Sequence, residues 1–246
     1  MVEVNVGVSM DLSRTVGSVT LTGVPLKDVA EQTFSSEELH QLTLTLASAE
    51  ASGVARWCLD TAVEYAGVRE QFGKQIGAFQ AIKHLCAEML ELSESATAVS
   101  WDAASAWSED PEQTRFAALN AGVIALDCAV AVAKSCIQIL GGIGFTFEHD
   151  AHLYLRRAIF LRSWLGGTSA IARDLAAEAA NDVRRHSTVD FEGADEEIRD
   201  QARAVASRIA GLPVAEQRAA LVETGYITPH WARPYGVAAT PMEQIV

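Results

Sequence analysis

The sequence has few basic residues, and this shortage excludes one class of protein. Its 246 residues include 19 lysines and arginines against 32 aspartates and glutamates, a formal net charge of −13 at neutral pH. General nucleic-acid binders neutralise phosphates with clustered Lys and Arg. We therefore expect no nucleic-acid partner, and we interpret the acidic excess as solvated helix faces.

Long apolar runs and targeting signals are also missing. No stretch reaches the roughly 18–20 uninterrupted apolar residues of a membrane span. The first residues, Met-Val-Glu-Val-Asn-Val, lack the basic region and apolar region of a secretory signal. We expect no membrane span, no secretory signal and a cytoplasmic location.

Cysteine is scarce and shows no metal-binding or disulfide pattern. The four cysteines are Cys58, Cys86, Cys128 and Cys136, and no two of them form a CxxC pair. All four lie in apolar segments with a helical pattern. We predict buried thiols in a reducing compartment, without a zinc site or a disulfide framework.

Proline and aromatic residues are few, and this favours helices over a sheet of short strands. There are 6 prolines and 7% aromatics, whereas 49% of the residues are hydrophobic. This apolar fraction is enough for a sizeable core. The length allows one large domain, or one domain with a piece of another.

The hydrophobic pattern predicts a mainly α chain, an antiparallel four-helix bundle preceded by a short β segment. Val2, Val4, Val6 and Val8 alternate with other residues, and a second β-rich stretch follows a turn at residues 11–14. Helices are predicted over about 35–68, 79–107, 111–140, 149–161 and 168–185. Ser35 and Glu38 have the spacing of a capping box at the first of them.

Two segments carry recognisable chemistry. Arg69–Gln80 reads Arg-Glu-Gln-Phe-Gly-Lys-Gln-Ile-Gly-Ala-Phe-Gln, and Gln138–Phe145 reads Gln-Ile-Leu-Gly-Gly-Ile-Gly-Phe. An arginine that opens a glycine-bearing loop can meet a pyrophosphate with a fork of donors. A Gly-Gly-x-Gly loop lets backbone N–H groups approach an anion or a ribose. Both segments are suited to a dinucleotide.

In this order, and with Glu148–Ala158 after them, the two segments resemble the C-terminal helical domain of acyl-CoA dehydrogenases. Asp11–Arg14 and Gly23–Pro25 resemble the end of that family's middle β-domain, so the resemblance covers about residues 7–185. It implies FAD-dependent α,β-dehydrogenation of an acyl-CoA thioester. It also implies an electron-transfer acceptor and a homo- or hetero-oligomer.

The resemblance further implies a set of FAD contacts. The set is Arg69, Gln71, Phe72, Gln80, Gln138, Gly141, Gly142 and Thr168. The first four would face the adenosine-diphosphate half of an FAD shared with a partner subunit or module. Gln138, Gly141 and Gly142 would contact the same cofactor. The flavin ring would be held mainly by the β-domain and by the Thr168 loop.

The sequence departs from the family at the catalytic base. The family base is usually a Glu just before a Gly-Thr pair, and Gly166 stands at that position before Gly167 and Thr168. Some members carry the Glu on the first long helix instead, which corresponds to Thr43. Neither residue can act as the base, so we predict no catalytic residue and no activity for this chain alone.

Three acidic residues lie near the alternative base position. Glu37 and Glu38 have the character of helix-start residues that the helix dipole favours, and Glu50 lies two turns beyond Thr43. They are weak candidates for the base.

The C-terminal part resembles the start of another domain. Glu196–Ala210 and Gly225–Gly236 resemble the beginning of the N-terminal helical domain of certain actinobacterial-type acyl-CoA dehydrogenases. We divide the chain into 1–30, the end of a β-domain; 31–186, the bundle; and 187–246, a linker and the start of a second helical domain. Helices are predicted at about 195–210 and 214–223. A plain exposed extension is the alternative.

Two other functions stay open. One is a structural or assembly module without bound flavin. The other is a di-iron bundle, because Glu37-x-x-His40 is half of the carboxylate-bridged signature, although no second half faces it. His149, Asp150 and His152 could suggest a metal, but we expect them to pack and cap, and we predict no metal site.

Overall fold

The computed structural model describes residues 1–25, 34–185 and 191–245. The chain divides into two compact units, residues 1–185 and residues 186–246. The predicted boundary at residues 30–31 and the part of the predicted linker at 186–190 lie outside the described residues.

The first unit begins with an antiparallel hairpin of strands β1 (Val2–Gly7) and β2 (Val16–Leu21). Val2 pairs with Leu21, and Val4 pairs with Val19. These apolar side chains are all exposed, with Val4 at 59%. The predicted turn at residues 11–14 joins the two strands, as the sequence pattern indicates.

Three long helices follow the hairpin: α1 (Ser36–Val68), α2 (Gln80–Glu109) and α3 (Thr114–Leu140). The predicted capping box at the start of α1 is confirmed. The Ser35 hydroxyl accepts from the Glu38 N–H at 3.1 Å, and the Ser35 N–H donates to Glu38 Oε2 at 2.7 Å.

Two shorter helices complete the bundle: α4 (Ala151–Trp164) and α5 (Thr168–Ala180). Helix α3 packs against α1, α2, α4 and α5, so it forms the centre of the unit. The predicted mainly α bundle after a short β segment is confirmed. The predicted end of α5 at residue 185 is wrong, because Asp182 has a positive φ of 60° that a right-handed helix does not accept.

The loop predicted at residues 69–77 contains a small hairpin that periodicity does not reveal. Its strands are β3 (Glu70–Gln71) and β4 (Lys74–Gln75), and Glu70 pairs with Gln75. A short 3-10 turn, Ile76–Ala78, leads from it into α2.

The core is built from leucines and many alanines, and a glycine lies where side chains of two neighbouring helices meet α3. Leu44 of α1 and Leu126 of α3 are fully buried. At Gly122 an added Cβ would lie 2.9 Å from Leu44 Cδ2 and 3.4 Å from Ile171 Cγ2. Helices α1, α3 and α5 therefore meet at a position that has no room for a side chain.

Among the residues that the structure describes, one helical segment is long and apolar enough to cross a membrane by length and composition alone. It is Pro111–Phe145, whose most apolar 18-residue window has a mean hydropathy of 2.0 and is 67% buried inside the protein. A core helix of a bundle has the same character, so this helix is weak evidence for a membrane span.

The prediction of four buried thiols is wrong for one of them. Cys58, Cys128 and Cys136 are buried, whereas Cys86 is partly exposed. Cys86 packs against the edge of the core and lines a groove between α1 and α2, together with Leu59 and Val63. The hydrogen bond with Cys136, together with burial, raises the pKa of the Cys58 thiol.

The second unit contains α6 (Glu196–Ala210), α7 (Val214–Thr224) and α8 (Pro241–Ile245). The two helices predicted at 195–210 and 214–223 are confirmed. After α7 the chain turns at Gly225, where an added Cβ would lie 2.9 Å from the carbonyl carbon of Gly236. The Thr228 hydroxyl donates to the Tyr235 carbonyl at 2.9 Å within this turn region.

Candidate functional site

The two sequence motifs meet at one pocket of about 550 Å³. It lies between the end of α1, the β3–β4 hairpin, the start of α2 and the end of α3. Its lining residues are Tyr65, Arg69, Gln71, Phe72, Ile76, Phe79, Ile82, Ile139, Leu140, Gly141, Gly142 and Ile143. Residues from both motifs therefore share a single cavity.

The first wall of the pocket is the β3–β4 hairpin. The Ile76 N–H donates to the Arg69 carbonyl oxygen at 2.8 Å, and this hydrogen bond joins the two ends of the hairpin. The turn needs two residues in the left-handed region, Phe72 with φ 54° and Gly73 with φ 78°. For a bulky residue this conformation is uncommon, and it leaves the Phe72 ring 91% exposed.

Aromatic and cationic side chains lie beside this turn. The Phe72 ring meets Phe79 edge-on, with 6.2 Å between the ring centroids. Lys74 Nζ lies 4.3 Å from the centroid of the same Phe79 ring, within cation–π range. The hairpin thus presents an exposed ring and positive charge at one edge of the pocket.

The second wall is the glycine loop after α3. Gly141 has φ 61° and ψ −131°, a conformation that suits glycine, and nothing lies within 4 Å of an added Cβ. At Gly144 an added Cβ would lie 2.8 Å from the Ile137 carbonyl oxygen. Gly141 therefore opens the backbone toward the pocket, whereas Gly144 allows the loop to pack against α3.

The Arg69 guanidinium is available to a ligand. Within residues 1–25, 34–185 and 191–245 its side chain has no ion pair or hydrogen bond, and it lines the pocket. A free guanidinium beside an exposed glycine backbone can bind an anionic group with several N–H donors.

Three of the predicted contacts do not line this pocket. Gln80 begins α2 directly after Phe79, and its Nε2 lies 2.8 Å from His84 Nε2. Gln138 is exposed one residue before Ile139. Thr168 begins α5 and belongs to a different loop.

The apolar part of the pocket was not predicted from the motifs. Its lining residues outside the predicted set are Tyr65, Ile76, Phe79, Ile82, Ile139, Leu140 and Ile143. Tyr65 lies one helical turn before Arg69, and this i,i+4 spacing was the signal that could have identified it.

Neither of the two predicted base positions, Gly166 and Thr43, carries a carboxylate. Gly166 is exposed, and Gly166 and Gly167 each have φ 83°. The Thr43 hydroxyl donates to the Leu39 carbonyl of its own helix at 2.7 Å.

The three carboxylates near Thr43 in the sequence each have a partner in an ion pair or a helix cap. Glu37 Oε1 lies 3.0 Å from Arg115 Nη1, and Glu38 caps α1. Glu50 Oε1 lies 3.1 Å from Arg157 Nε. These contacts give each of the three acids a structural role.

The candidate metal residues have packing and capping roles. His149 Nδ1 accepts from the Ala151 N–H at 3.1 Å, and His152 Nδ1 lies 2.8 Å from the His149 carbonyl oxygen. Across the described part of the chain, no three or more His, Cys, Asp or Glu side chains converge on one point. The di-iron hypothesis therefore has no support from these residues.

The class of protein follows from a family comparison. The model of the acyl-CoA dehydrogenase C-terminal domain matches residues 37–181. The chain belongs to the acyl-CoA dehydrogenase family, and the matched region is the helical bundle that holds the pocket.

The chain is similar to one curated relative over nearly its whole length. It is 46% identical to acyl-CoA dehydrogenase FadE34 of Mycobacterium tuberculosis over 237 residues, which are 96% of this chain and 33% of that protein. The chain therefore spans about a third of this relative.

Two solved structures have the same fold. The first, a Tcur3481-Tcur3483 steroid ACAD G363A variant, has a TM-score of 0.65 at 27% identity, over 73% of this chain and 50% of that one. The second, the ChsE4-ChsE5 complex from Mycobacterium tuberculosis, has a TM-score of 0.63 at 28% identity, over 73% of this chain and 49% of that one.

Proposed function

We propose that this chain forms one wall of an FAD site in an acyl-CoA dehydrogenase assembly, and that a partner subunit or module supplies the rest. The observation that carries the proposal is the single pocket shared by the Arg69 motif and the Gly141 motif. Its volume of about 550 Å³ lies in the range of cofactor sites. The residues fit a dinucleotide, because a free guanidinium, an open glycine backbone and apolar walls lie together.

Each residue would then have a binding role. The Arg69 guanidinium would donate to the pyrophosphate, and the backbone around Gly141 and Gly142 would approach the same half of the cofactor. The exposed Phe72 ring would cover an apolar face of the cofactor. When bound, FAD supplies the hydride acceptor for α,β-dehydrogenation of an acyl-CoA, and the electrons pass to a separate acceptor.

We further propose that this segment is non-catalytic. Gly166 carries no carboxylate, Thr43 is bonded to its own helix, and the nearby acids are engaged in ion pairs or a helix cap. The base that removes the α-proton would therefore come from another module.

The proposed division into 1–30, 31–186 and 187–246 is supported by the extent of two matches. The family model ends at residue 181, whereas the match to FadE34 covers 96% of the chain and so continues beyond that point. A protein that joins two modules in one chain accounts for both observations.

The cofactor assignment is tested by the visible spectrum of the chain purified with its natural partner. Arg69→Ala should weaken FAD retention by about tenfold or more, since a hydrogen bond to a charged group contributes about 1.5–3 kcal/mol. The matched control is Arg56→Ala, on helix α1 that Arg69 directly follows; the exposed Arg56 guanidinium pairs with Asp60 and Glu94.

Each outcome has a defined meaning. Loss of flavin from the Arg69 variant alone supports the assignment, and equal retention in both variants refutes it. A colourless native complex that stays associated supports the assembly module without flavin.

A further inference from the structure

Four charged side chains from three elements meet where the hairpin joins the bundle. Arg157 of α4 places Nη1 2.7 Å from Asp11 Oδ2 and Nε 3.1 Å from Glu50 Oε1. Arg14 Nη2 lies 3.1 Å from the same Glu50 oxygen. Two arginines and two acids give a cluster without net charge, which we call the hairpin clamp.

Within the hairpin clamp the Arg157–Asp11 pair is the buried one, and it is much more buried than the Arg162–Asp127 pair of the same helix. The side chains of Arg157 and Asp11 are 16% and 3% exposed, whereas those of Arg162 and Asp127 are 35% and 51% exposed. Removing one partner of a buried pair leaves an uncompensated charge, whereas exposed pairs contribute little.

The clamp also determines the shape of the turn. Asp11 Oδ1 accepts from the Ser13 N–H at 2.9 Å and from the Ser13 hydroxyl at 2.8 Å. Arg157 Nη2 donates to that hydroxyl oxygen at 2.7 Å. The turn conformation and its attachment to α4 therefore depend on the same side chains.

A second pocket, of about 470 Å³, lies directly beside the clamp. Its walls are residues 14–17 at the end of the turn and the start of β2, Glu50 of α1, and Phe160, Leu161 and Trp164 of α4. Phe160 and Trp164 are stacked, with 6.0 Å between centroids and 11° between planes. The hairpin and α4 thus form opposite walls, and the clamp joins them.

The Gly166–Thr168 loop follows directly after Trp164, which lines this pocket. Helix α4 ends at Trp164, and Gly166 and Gly167 connect it to Thr168 at the start of α5. Because only residues 165–167 separate α4 from Thr168, a displacement of the end of α4 would also displace the start of the Thr168 loop.

We propose that Arg157 is a positioning residue that sets the geometry of this second pocket and, through it, the environment of the flavin ring. It acts by holding the β1–β2 turn against α1 and α4. The step to the flavin ring rests on the proposed function and on the family resemblance, which implies that the β-domain and the Thr168 loop hold the ring.

The first test needs no flavin and uses the full chain. Hydrogen–deuterium exchange of the amides at residues 9–15 should rise about tenfold or more in Arg157→Met. The matched control is Arg162→Met, which removes the exposed pair of the same helix and should leave the turn unchanged. If Arg157→Met does not fold, Arg157→Met with Asp11→Asn removes both buried charges and gives the same readout.

The second test uses the complex with the natural partner. Arg157→Met should shift the flavin absorption bands and the reduction potential while FAD retention stays near the native level. Arg157→Lys, which keeps the charge but loses the fork of donors, should shift them less. Arg69→Ala, in contrast, should lower retention.

The outcomes separate this inference from the proposed function. Unchanged exchange in the turn overturns the clamp, and faster exchange with an unchanged flavin spectrum overturns the positioning role. A colourless native complex overturns the proposed function together with the flavin part of this inference, and the exchange measurement then decides the clamp alone.

Discussion

At Gly122 of α3 side chains from α1 and α5 leave no room for a Cβ, so its substitution tests how tightly the bundle is packed. In Gly122→Ala the new methyl would lie 2.9 Å from Leu44 Cδ2 and 3.4 Å from Ile171 Cγ2. Leu44 is 0% and Ile171 2% exposed, so neither side chain can swing into solvent. Overpacking of this kind costs about 1–3 kcal/mol, and the helix propensity of Ala offsets about 1 kcal/mol of it.

The double variant makes this prediction specific. Leu44→Ala alone should cost about 2–5 kcal/mol, because it removes a fully buried side chain and leaves a cavity. In that background the methyl of Gly122→Ala has space, so the strain disappears and part of the cavity is filled. We expect the double variant to be about 1–2 kcal/mol more stable than the sum of the single effects, a coupling typical of residues in contact.

The assay is urea unfolding followed by circular dichroism, with the slope compared between variants to check that the unfolded state is unchanged. The control is Gly53→Ala in α1, where nothing lies within 4 Å of an added Cβ. Effects of Gly122→Ala and Leu44→Ala that add within about 0.5 kcal/mol would refute the packing argument.

Two further predictions concern local structure. Gly166→Ala should destabilise the bundle by about 1–2 kcal/mol, because the φ of 83° is unfavourable for alanine even though the space around the residue is open. Gly53→Ala, in the interior of α1, should stabilise the bundle by about 0.5–1 kcal/mol. Equal shifts in the melting temperature of the two variants would contradict this prediction. Hydrogen bonds from the backbone and side chain of Ser35 hold the pKa of Glu38 below its usual 4.5. The ionised carboxylate therefore stabilises the folded state fully above pH 4.5, and this stabilisation is lost as the pH falls through the lowered pKa. Glu38→Gln should therefore lose less stability on acidification, and identical acid profiles by circular dichroism would show that the cap has no such role.

Features that depend on neighbouring residues were predictable from the sequence. The capping box of α1 requires only Ser35 and Glu38 three positions later, and the start of α3 follows Pro111. The end of α5 was not predictable in this way, because the chain stays compatible with a helix beyond Ala180 and the helix ends through the backbone conformation at Asp182. Cys86 was misplaced because an apolar helical segment does not show which of its faces is covered.

The existence of the helices, the two motifs and the family resemblance could be read from the sequence, because periodicity, caps and motif spacing are properties of short stretches of chain. The sequence also shows that no carboxylate stands at position 166 or position 43. Folding of the chain brings Arg69 and Gly141 to one pocket and pairs Asp11 of the hairpin with Arg157 of α4. Both contacts join residues that are far apart in the sequence. They depend on the packing of α1, α3 and α4, which no local sequence pattern specifies.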